Sequence, residues 1–191
     1  MAWNNWKEHF GNVAPIGHVI RSLVPERWLR IHSLPESKRY PTDASEEVEL
    51  LRRHNEAATD VLGVGSKALL FVHFHVTREE FARELRKYDW STELGCPCAD
   101  LRSFAVDDSD DDSVQPVIAC NEIKWIPGGW NNLLLDVAHW RIASIVLLNP
   151  GTGEVYAPYD GGADLFFNSP ERVTEKALHW QQWLSSHDAG L

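Results

Sequence analysis

Two apolar runs separated by a compact turn constrain the fold more than any other feature of this sequence. Ile142–Leu148 is rich in aliphatic residues, and the turn-forming segment Asn149-Pro-Gly-Thr-Gly153 follows it directly. Glu154–Pro158 then returns to a strand-like pattern. Runs of this kind on either side of a glycine-containing turn are typical of a β-hairpin. We therefore predict that the two segments pair as antiparallel strands.

Further strands are predicted before and after this hairpin. Residues 68–76 and 114–126 are rich in β-forming apolar residues, and residues 165–167 follow another glycine-containing turn. Residues 27–34 alternate between a mixed polar face and an aliphatic face. Alternation with a period of two is the pattern of a strand that is buried on one side. Strands therefore dominate the second half of the chain.

Local capping patterns predict where helices begin and end. Asp43 is followed three residues later by Glu46, which is the spacing of a capping box, and Gly63 is a suitable C-terminal stop. A second box begins at Thr77, and Ser169 precedes a proline at the start of the last helix. We therefore predict helices that flank the earlier strands and follow the last one.

The length and the order of elements favour one α+β domain with a mostly antiparallel sheet flanked by helices. A chain of 191 residues suits a single domain. We place that domain at residues 1–191, with an irregular acidic loop at 91–113 inside it. A boundary at this loop is the alternative, but the first half of the chain supplies only about two strands.

The net charge of −10 is concentrated in the second half of the chain. Residues 1–90 hold 13 basic and 13 acidic residues, whereas residues 91–191 hold 5 and 15. This balance argues against a nucleic-acid partner, because binding to a phosphate backbone requires Lys and Arg. It fits a protein partner with a basic surface. The alternative is a solvated acidic surface that keeps the protein in solution.

One acidic run contributes half of the excess charge. Five aspartates lie within six positions, and their mutual repulsion predicts an exposed loop: Asp107, Asp108, Asp110, Asp111 and Asp112. An EF-hand is excluded, because Ser113 and Ala119 stand where that motif needs Gly and Glu. We expect these aspartates to bind a basic partner.

Tryptophan is unusually frequent, with nine residues in the chain. Trp125 and Trp130 flank the turn Pro-Gly-Gly, where an exposed indole is a good anchor for a partner. Burial in the core is the alternative for each tryptophan, with its N–H bonded internally. We include both residues in the predicted partner-binding surface.

A metal site has four candidate ligands: His73, His75, Cys96 and Cys98. Zinc takes thiolate and imidazole ligands, and the two histidines share one face of a predicted strand. The CxC spacing is weaker than the CxxC turn of structural zinc sites. The alternative is a polar strand face beside a loop, and we predict no metal and no cofactor.

An enzyme is the rival hypothesis from another class. His32 with Glu36 could perform acid–base chemistry, with Lys38 and Arg39 binding an anion. The alternative is a surface loop bounded by prolines. The sequence contains no G-x-S-x-G motif, and Gly63-Val-Gly-Ser-Lys67 lacks the spacing of a phosphate loop. We therefore predict that the chain is not an enzyme.

A cytoplasmic location is expected. The first residues lack the basic and apolar regions of a signal peptide, and no apolar run approaches the length of a membrane span. Three cysteines do not form a disulfide framework. We expect no membrane partner.

Two stretches resemble uncharacterised small bacterial proteins, some of which accompany polymorphic toxins as immunity proteins. They are Arg30-Ile-His-Ser-Leu-Pro-Glu-Ser-Lys-Arg-Tyr-Pro41 and Asn149-Pro-Gly-Thr-Gly-Glu-Val-Tyr-Ala-Pro-Tyr-Asp-Gly-Gly-Ala-Asp164. The resemblance covers most of residues 27–187 and carries no catalytic motif. It implies a cytoplasmic bacterial protein whose role is binding. Together with the acidic second half, it leads to our main hypothesis, an immunity-type protein that binds a cognate, basic toxin domain and occludes its active surface. The alternatives are a small metal-dependent or histidine-based hydrolase and a structural subunit of a larger assembly.

Overall fold

A computed structural model describes residues 2–75, 100–103, 116–142 and 144–185. The helices in these residues are α1 (Ala2–Phe10), α2 (Gly17–Leu23), α3 (Ala44–Leu62), α4 (Asn131–Ala138) and α5 (Pro170–His179). The strands are β1 (Trp28–His32), β2 (Lys67–His75), β3 (Asp100–Ser103), β4 (Pro116–Lys124), β5 (Ser144–Leu148), β6 (Val155–Tyr159) and β7 (Gly162–Phe166). Short 3-10 helices lie at Pro25–Arg27, Pro35–Ser37 and Gln181–Trp183.

These strands form one seven-stranded sheet in the order β1-β7-β6-β5-β2-β4-β3. Every neighbouring pair is antiparallel. The predicted hairpin is confirmed, because Leu148 of β5 pairs with Val155 of β6. The predicted α+β class, with helices against a mostly antiparallel sheet, is confirmed as well.

The prediction of an irregular segment at 91–113 was wrong for four of its residues. Asp100–Ser103 forms β3, in which Leu101 pairs with Ala119 of β4. Among the described residues β3 is an edge strand, and such strands accept charged residues because one of their sides is not paired with another strand. Because β3 is polar in composition, the sequence pattern did not indicate a strand there. The helix predicted from Thr77 lies outside the described residues.

Local capping confirms the predicted ends of α3 and α5. The Asp43 carboxylate accepts hydrogen bonds from the backbone N–H groups of Ser45 and Glu46. Glu46 does not close the box on the cap residue, because its carboxylate accepts from the N–H of Thr42 instead. Gly63 ends α3 at a φ of 81°, and the Ser169 hydroxyl accepts from the N–H of Arg172.

One face of the sheet is apolar along its length. Helices α3 and α4 pack on this face, where Ala58, Val61 and Leu134 contact the aliphatic residues of the strands. Successive residues of a strand point to opposite faces, so the same strands supply a different set of side chains to the other face.

The other face is divided into an apolar half and a polar half. Trp3 and Trp6 of α1 pack edge-on against Phe71 of β2, with ring centroids 5.1 and 5.0 Å apart. Helix α2 adds Ile20 to the same cluster. Farther along the strands this face becomes polar, and the side chains there are Arg30, His73, Ser144, Tyr159 and Asp164.

Gly162 allows β1 to lie against β7 at the edge of the polar half. A Cβ atom at this position would lie 2.0 Å from the carbonyl oxygen of Ile31. No side chain fits such a gap, so only glycine permits the observed pairing of His32 with Gly162.

None of the helices in the described residues is both long enough and apolar enough to cross a membrane.

Candidate functional site

The polar half of the sheet is built around an ion pair between β1 and β7. The Arg30 guanidinium donates from Nε to Oδ1 of Asp164 at 2.8 Å and from Nη2 to Oδ2 at 3.1 Å. The indole Nε1 of Trp28 also donates to Oδ1 of Asp164, at 2.8 Å. Arg30 and Asp164 are directly opposite each other in the β1–β7 register. The pair therefore holds the guanidinium in one position.

Two aromatic rings contact the Arg30 guanidinium. Its Cζ lies 5.4 Å from the ring centroid of Trp28 and 4.9 Å from that of Tyr159. Burial alone would lower the pKa of Arg30, but the hydrogen bond and charge of Asp164 outweigh burial and raise it. Burial raises the pKa of Tyr159 to about 12, so its hydroxyl remains protonated near neutral pH.

A cleft of about 320 Å³ opens over these groups. Arg30, Tyr159 and Asp164 line one part of it, and His18, His73 and Ser144 line another. The Ser144 hydroxyl lies 3.4 Å from Nδ1 of His73. The apolar side chains of the wall are Ile16, Ala157 and Trp140, whereas the side chain of Ile145 belongs to the core cluster on the opposite face of the sheet. A concave site with convergent polar groups is the usual form of a ligand pocket.

A second cluster surrounds Asp160, in the turn between β6 and β7. Arg39 binds this carboxylate through Nε at 2.7 Å and Nη2 at 3.1 Å, and the Tyr40 hydroxyl donates to it at 2.8 Å. The indole N–H of Trp140 donates to the same carboxylate. Burial raises the pKa of Asp160, but the bonds from Arg39, Trp140 and Tyr40 outweigh it and lower the pKa overall. We call Arg39, Tyr40, Trp140 and Asp160 the Asp160 cluster.

The backbone is strained in the segments that meet at the Asp160 cluster. In the described part of the chain, the non-glycine residues with a positive φ are Glu36, Ser37 and Trp140, at 57°, 57° and 59°. Trp140 comes two residues after α4, at the position where a helix usually ends in glycine. Such backbone costs on the order of 1 kcal/mol or more per residue and collects at functional sites.

A buried hydrogen-bonded chain lies on the opposite face of the sheet. The Ser33 hydroxyl is 2.7 Å from Nε2 of His54, and the Tyr156 hydroxyl is 2.5 Å from Nδ1. All three residues are buried, at 2% exposure or less. Burial first, and then the charge of Arg53, lower the pKa of His54 to about 4. A serine beside a histidine is the arrangement of an activated nucleophile, but no substrate reaches this one.

The structure separates the two predicted tryptophan anchors. Trp125 is only 1% exposed, and its indole donates to Thr59 at 3.1 Å, so its prediction as a partner contact was wrong. Trp125 follows Lys124 in an extended segment, so the two side chains point in opposite directions and that of Trp125 points into the core. Trp130 is half-buried and donates to the carbonyl of Lys124 at 3.1 Å. Its role in binding stays a prediction.

The residues of the predicted acidic surface lie outside the described residues, as do Cys96 and Cys98. That group comprises Asp107, Asp108, Asp110, Asp111 and Asp112. His73 lines the cleft, and the backbone of His75 ends β2. Within the residues that the structure describes, no group of three or more His, Cys, Asp or Glu could hold a metal ion.

The structure does not bring the residues of the His32 hypothesis together around one site. Lys38 binds the carboxylate of Glu46 at 2.5 Å and 2.6 Å, and Arg39 binds Asp160. Burial first, and then the charges of Arg30 and Arg53, lower the pKa of His32. Neither basic residue of the hypothesis is therefore directed at His32.

A family model matches residues 16–188, which is most of the chain. The chain belongs to the DUF3885 family, a domain of unknown function. No curated protein and no solved structure matches it. The matched part of the DUF3885 domain includes both the cleft and the Asp160 cluster.

The sequence did not indicate which distant residues of this site contact each other in the fold. The two stretches that carry the resemblance, 30–41 and 149–164, supply both carboxylates and both arginines that bind them. The sequence did contain one relevant pattern, because polar residues occupy alternate positions of β1 and β2. This pattern predicts a polar face for each strand. It does not predict that the two faces belong to one continuous polar surface of the sheet.

Proposed function

We propose that this DUF3885 domain is an immunity-type binding protein, which binds a cognate toxin domain with a basic surface and occludes its active surface. The observation that carries the proposal is Trp140, whose side chain is 60% exposed although its backbone is strained and its N–H is bonded to Asp160. A fixed, exposed indole is a typical anchor of a protein interface.

The neighbours of Trp140 support the same proposal. Tyr40 is 45% exposed, and the Arg39 guanidinium lies 5.5 Å from the Tyr40 ring centroid. Tryptophan, tyrosine and arginine are the residue types enriched in binding hot spots. Because Asp160 binds all three side chains, they are ordered before a partner arrives, and less entropy is lost on binding.

Charge supports a basic partner. The chain carries a net charge of −10, half of it from the run between Asp107 and Asp112. Ser103 and Pro116, the described residues on either side of the run, lie at the end of the sheet where β1 and β6 end. Opposite charge would accelerate association with a basic toxin in the cytoplasm.

Rescue of growth tests the proposal. The protein encoded immediately upstream of this chain is expressed in a bacterial host, alone or together with the chain. We expect growth arrest alone and rescue by the wild type. Trp140→Ala should lose the rescue, whereas Leu178→Ala, at another exposed apolar residue, should keep it. An upstream protein that is harmless, or full rescue by Trp140→Ala, would contradict the proposal.

A further inference from the structure

We propose that the cleft over Arg30 binds a small organic anion, a carboxylate or phosphate group attached to a compact apolar or aromatic body. This site goes beyond the proposed function, since it requires no partner protein.

Two residues of the cleft have hydrogen-bond donors for which the described residues supply no acceptor. Arg30 has five N–H groups, and two of its bonds go to Asp164. Within the described contacts its other N–H groups have no acceptor, and the Tyr159 hydroxyl has no hydrogen-bond partner there either. Both residues line the cleft. A ligand that supplies acceptors would complete their hydrogen bonding.

The single carboxylate of the described lining does not compete with an anion for these donors. Both oxygens of Asp164 already accept bonds from Arg30, and one also accepts from Trp28. The ion pair fixes the plane of the guanidinium and leaves its other edge for a ligand. Arginine binds carboxylates and phosphates through such a fork, and these charge-assisted bonds are stronger than neutral ones.

The rest of the lining selects an organic body over a bare ion. Ile16 and Ala157 present apolar side chains on this face of the sheet, and Trp140 is also among the lining residues. A volume of about 320 Å³ is at the lower end of small-molecule pockets. An inorganic ion would leave most of this apolar wall exposed to water. A ring or short hydrocarbon bearing the anionic group would cover it.

Titration of the whole chain with four probes tests the inference. Phenyl phosphate, benzoate, inorganic phosphate and neutral benzamide are compared by calorimetry and ligand-observed NMR. Phenyl phosphate or benzoate should bind, and the stronger of the two identifies the anionic group. Inorganic phosphate and benzamide should each bind roughly ten-fold more weakly than the stronger of these two probes. Inorganic phosphate lacks the organic body, and benzamide lacks the anionic group.

Two variants locate the binding. Tyr159→Phe removes only a hydroxyl that has no hydrogen-bond partner among the described residues, so it should weaken binding of the best probe by about 3- to 10-fold at an unchanged Tm. Arg30→Lys should weaken it by roughly ten-fold or more, since the fork is lost. Tyr40→Phe, the same change outside the cleft, should bind like the wild type. The inference is overturned if no organic probe binds, if inorganic phosphate binds equally well, or if Tyr159→Phe has no effect on affinity.

Discussion

The Tyr156 hydroxyl lies 2.5 Å from Nδ1 of His54, and both side chains are buried in the core beneath α3. Burial lowers the pKa of His54 to about 4, so the imidazole is neutral in the folded protein at pH 7. In the unfolded chain the same histidine titrates near 6.5. The unfolded state therefore binds more protons between pH 6.5 and pH 4.

Acidification should destabilise the protein through His54. The contribution of this histidine is complete above pH 6.5 and decreases as the pH falls toward 4, to a loss of about 3 kcal/mol. His32, whose pKa is also lowered, adds to the loss in the same direction. Urea unfolding at pH 7, 6 and 5 measures it. In His54→Gln the pH dependence over this interval should be much weaker, and an unchanged slope would refute the assignment.

The strain at Trp140 predicts an unusual tolerance to glycine. Trp140→Gly relieves the positive φ but loses the bond to Asp160, and the two effects oppose each other. The free energy of unfolding should therefore change by less than about 1 kcal/mol. Trp125→Ala, in the buried core, should cost about 3 to 5 kcal/mol. Comparable losses in thermal unfolding of both variants would contradict the strain argument.

The pair of Arg30 and Asp164 should be sensitive to removal of one partner. Asp164→Asn leaves a largely buried guanidinium without its counter-charge, and we expect a loss of about 3 kcal/mol in urea unfolding. The matched control is Asp136→Asn, whose partner Arg141 is exposed, and it should cost less than about 1 kcal/mol. Equal stability of the two variants would contradict this role of Asp164.

Gly162 should not accept even alanine. A methyl group there would overlap the carbonyl of Ile31, so β1 must move away from β7, at a cost of roughly 3 kcal/mol or more. Gly151→Ala is the control, because its Cβ would lie 3.4 Å from the side chain of Asn149, an ordinary contact. It should change the free energy of unfolding by less than about 0.5 kcal/mol. A Gly162→Ala protein with wild-type stability would exclude this close approach.

If the proposed partner is basic, association should depend on ionic strength. Raising the salt concentration from about 0.05 M to about 0.5 M should slow association by ten-fold or more, because screening removes the long-range attraction. Replacing the aspartates of the run 107–112 by lysine should produce a similar decrease at low salt. Stopped-flow fluorescence measures both rates. A rate that ignores salt and charge reversal would exclude electrostatic steering.

Much of the fold was predictable because its signals are local. Asp43, Gly63 and Ser169 act on backbone groups within four residues, and the hairpin of β5 and β6 is contiguous in the sequence. Helix caps and hairpins depend on residues that are close together in the sequence. Strand β3 was missed because an edge strand needs little apolar content.

The site was not predictable, because its contacts span the chain. Arg30 is separated from Asp164 by 134 positions, and Tyr40 from Asp160 by 120. Proximity in the sequence instead suggested that Arg39 acts with His32. Residue type alone does not distinguish the buried indole of Trp125 from the exposed one of Trp140. Only the register of β1 with β7 shows that Arg30 lies opposite Asp164.

The pairing of the first strand with the last one also sets when the site can form during synthesis. Strand β1 leaves the ribosome early, but its partner β7 follows about 130 residues later, at several residues per second. Until then Asp164 and Asp160, the partners of Arg30 and Arg39 in the folded structure, are absent. A chain truncated before Asp160 therefore contains α3 and most of the sheet but has neither the cleft nor the Asp160 cluster. The cleft and the Asp160 cluster can therefore form only after β7 has been synthesised.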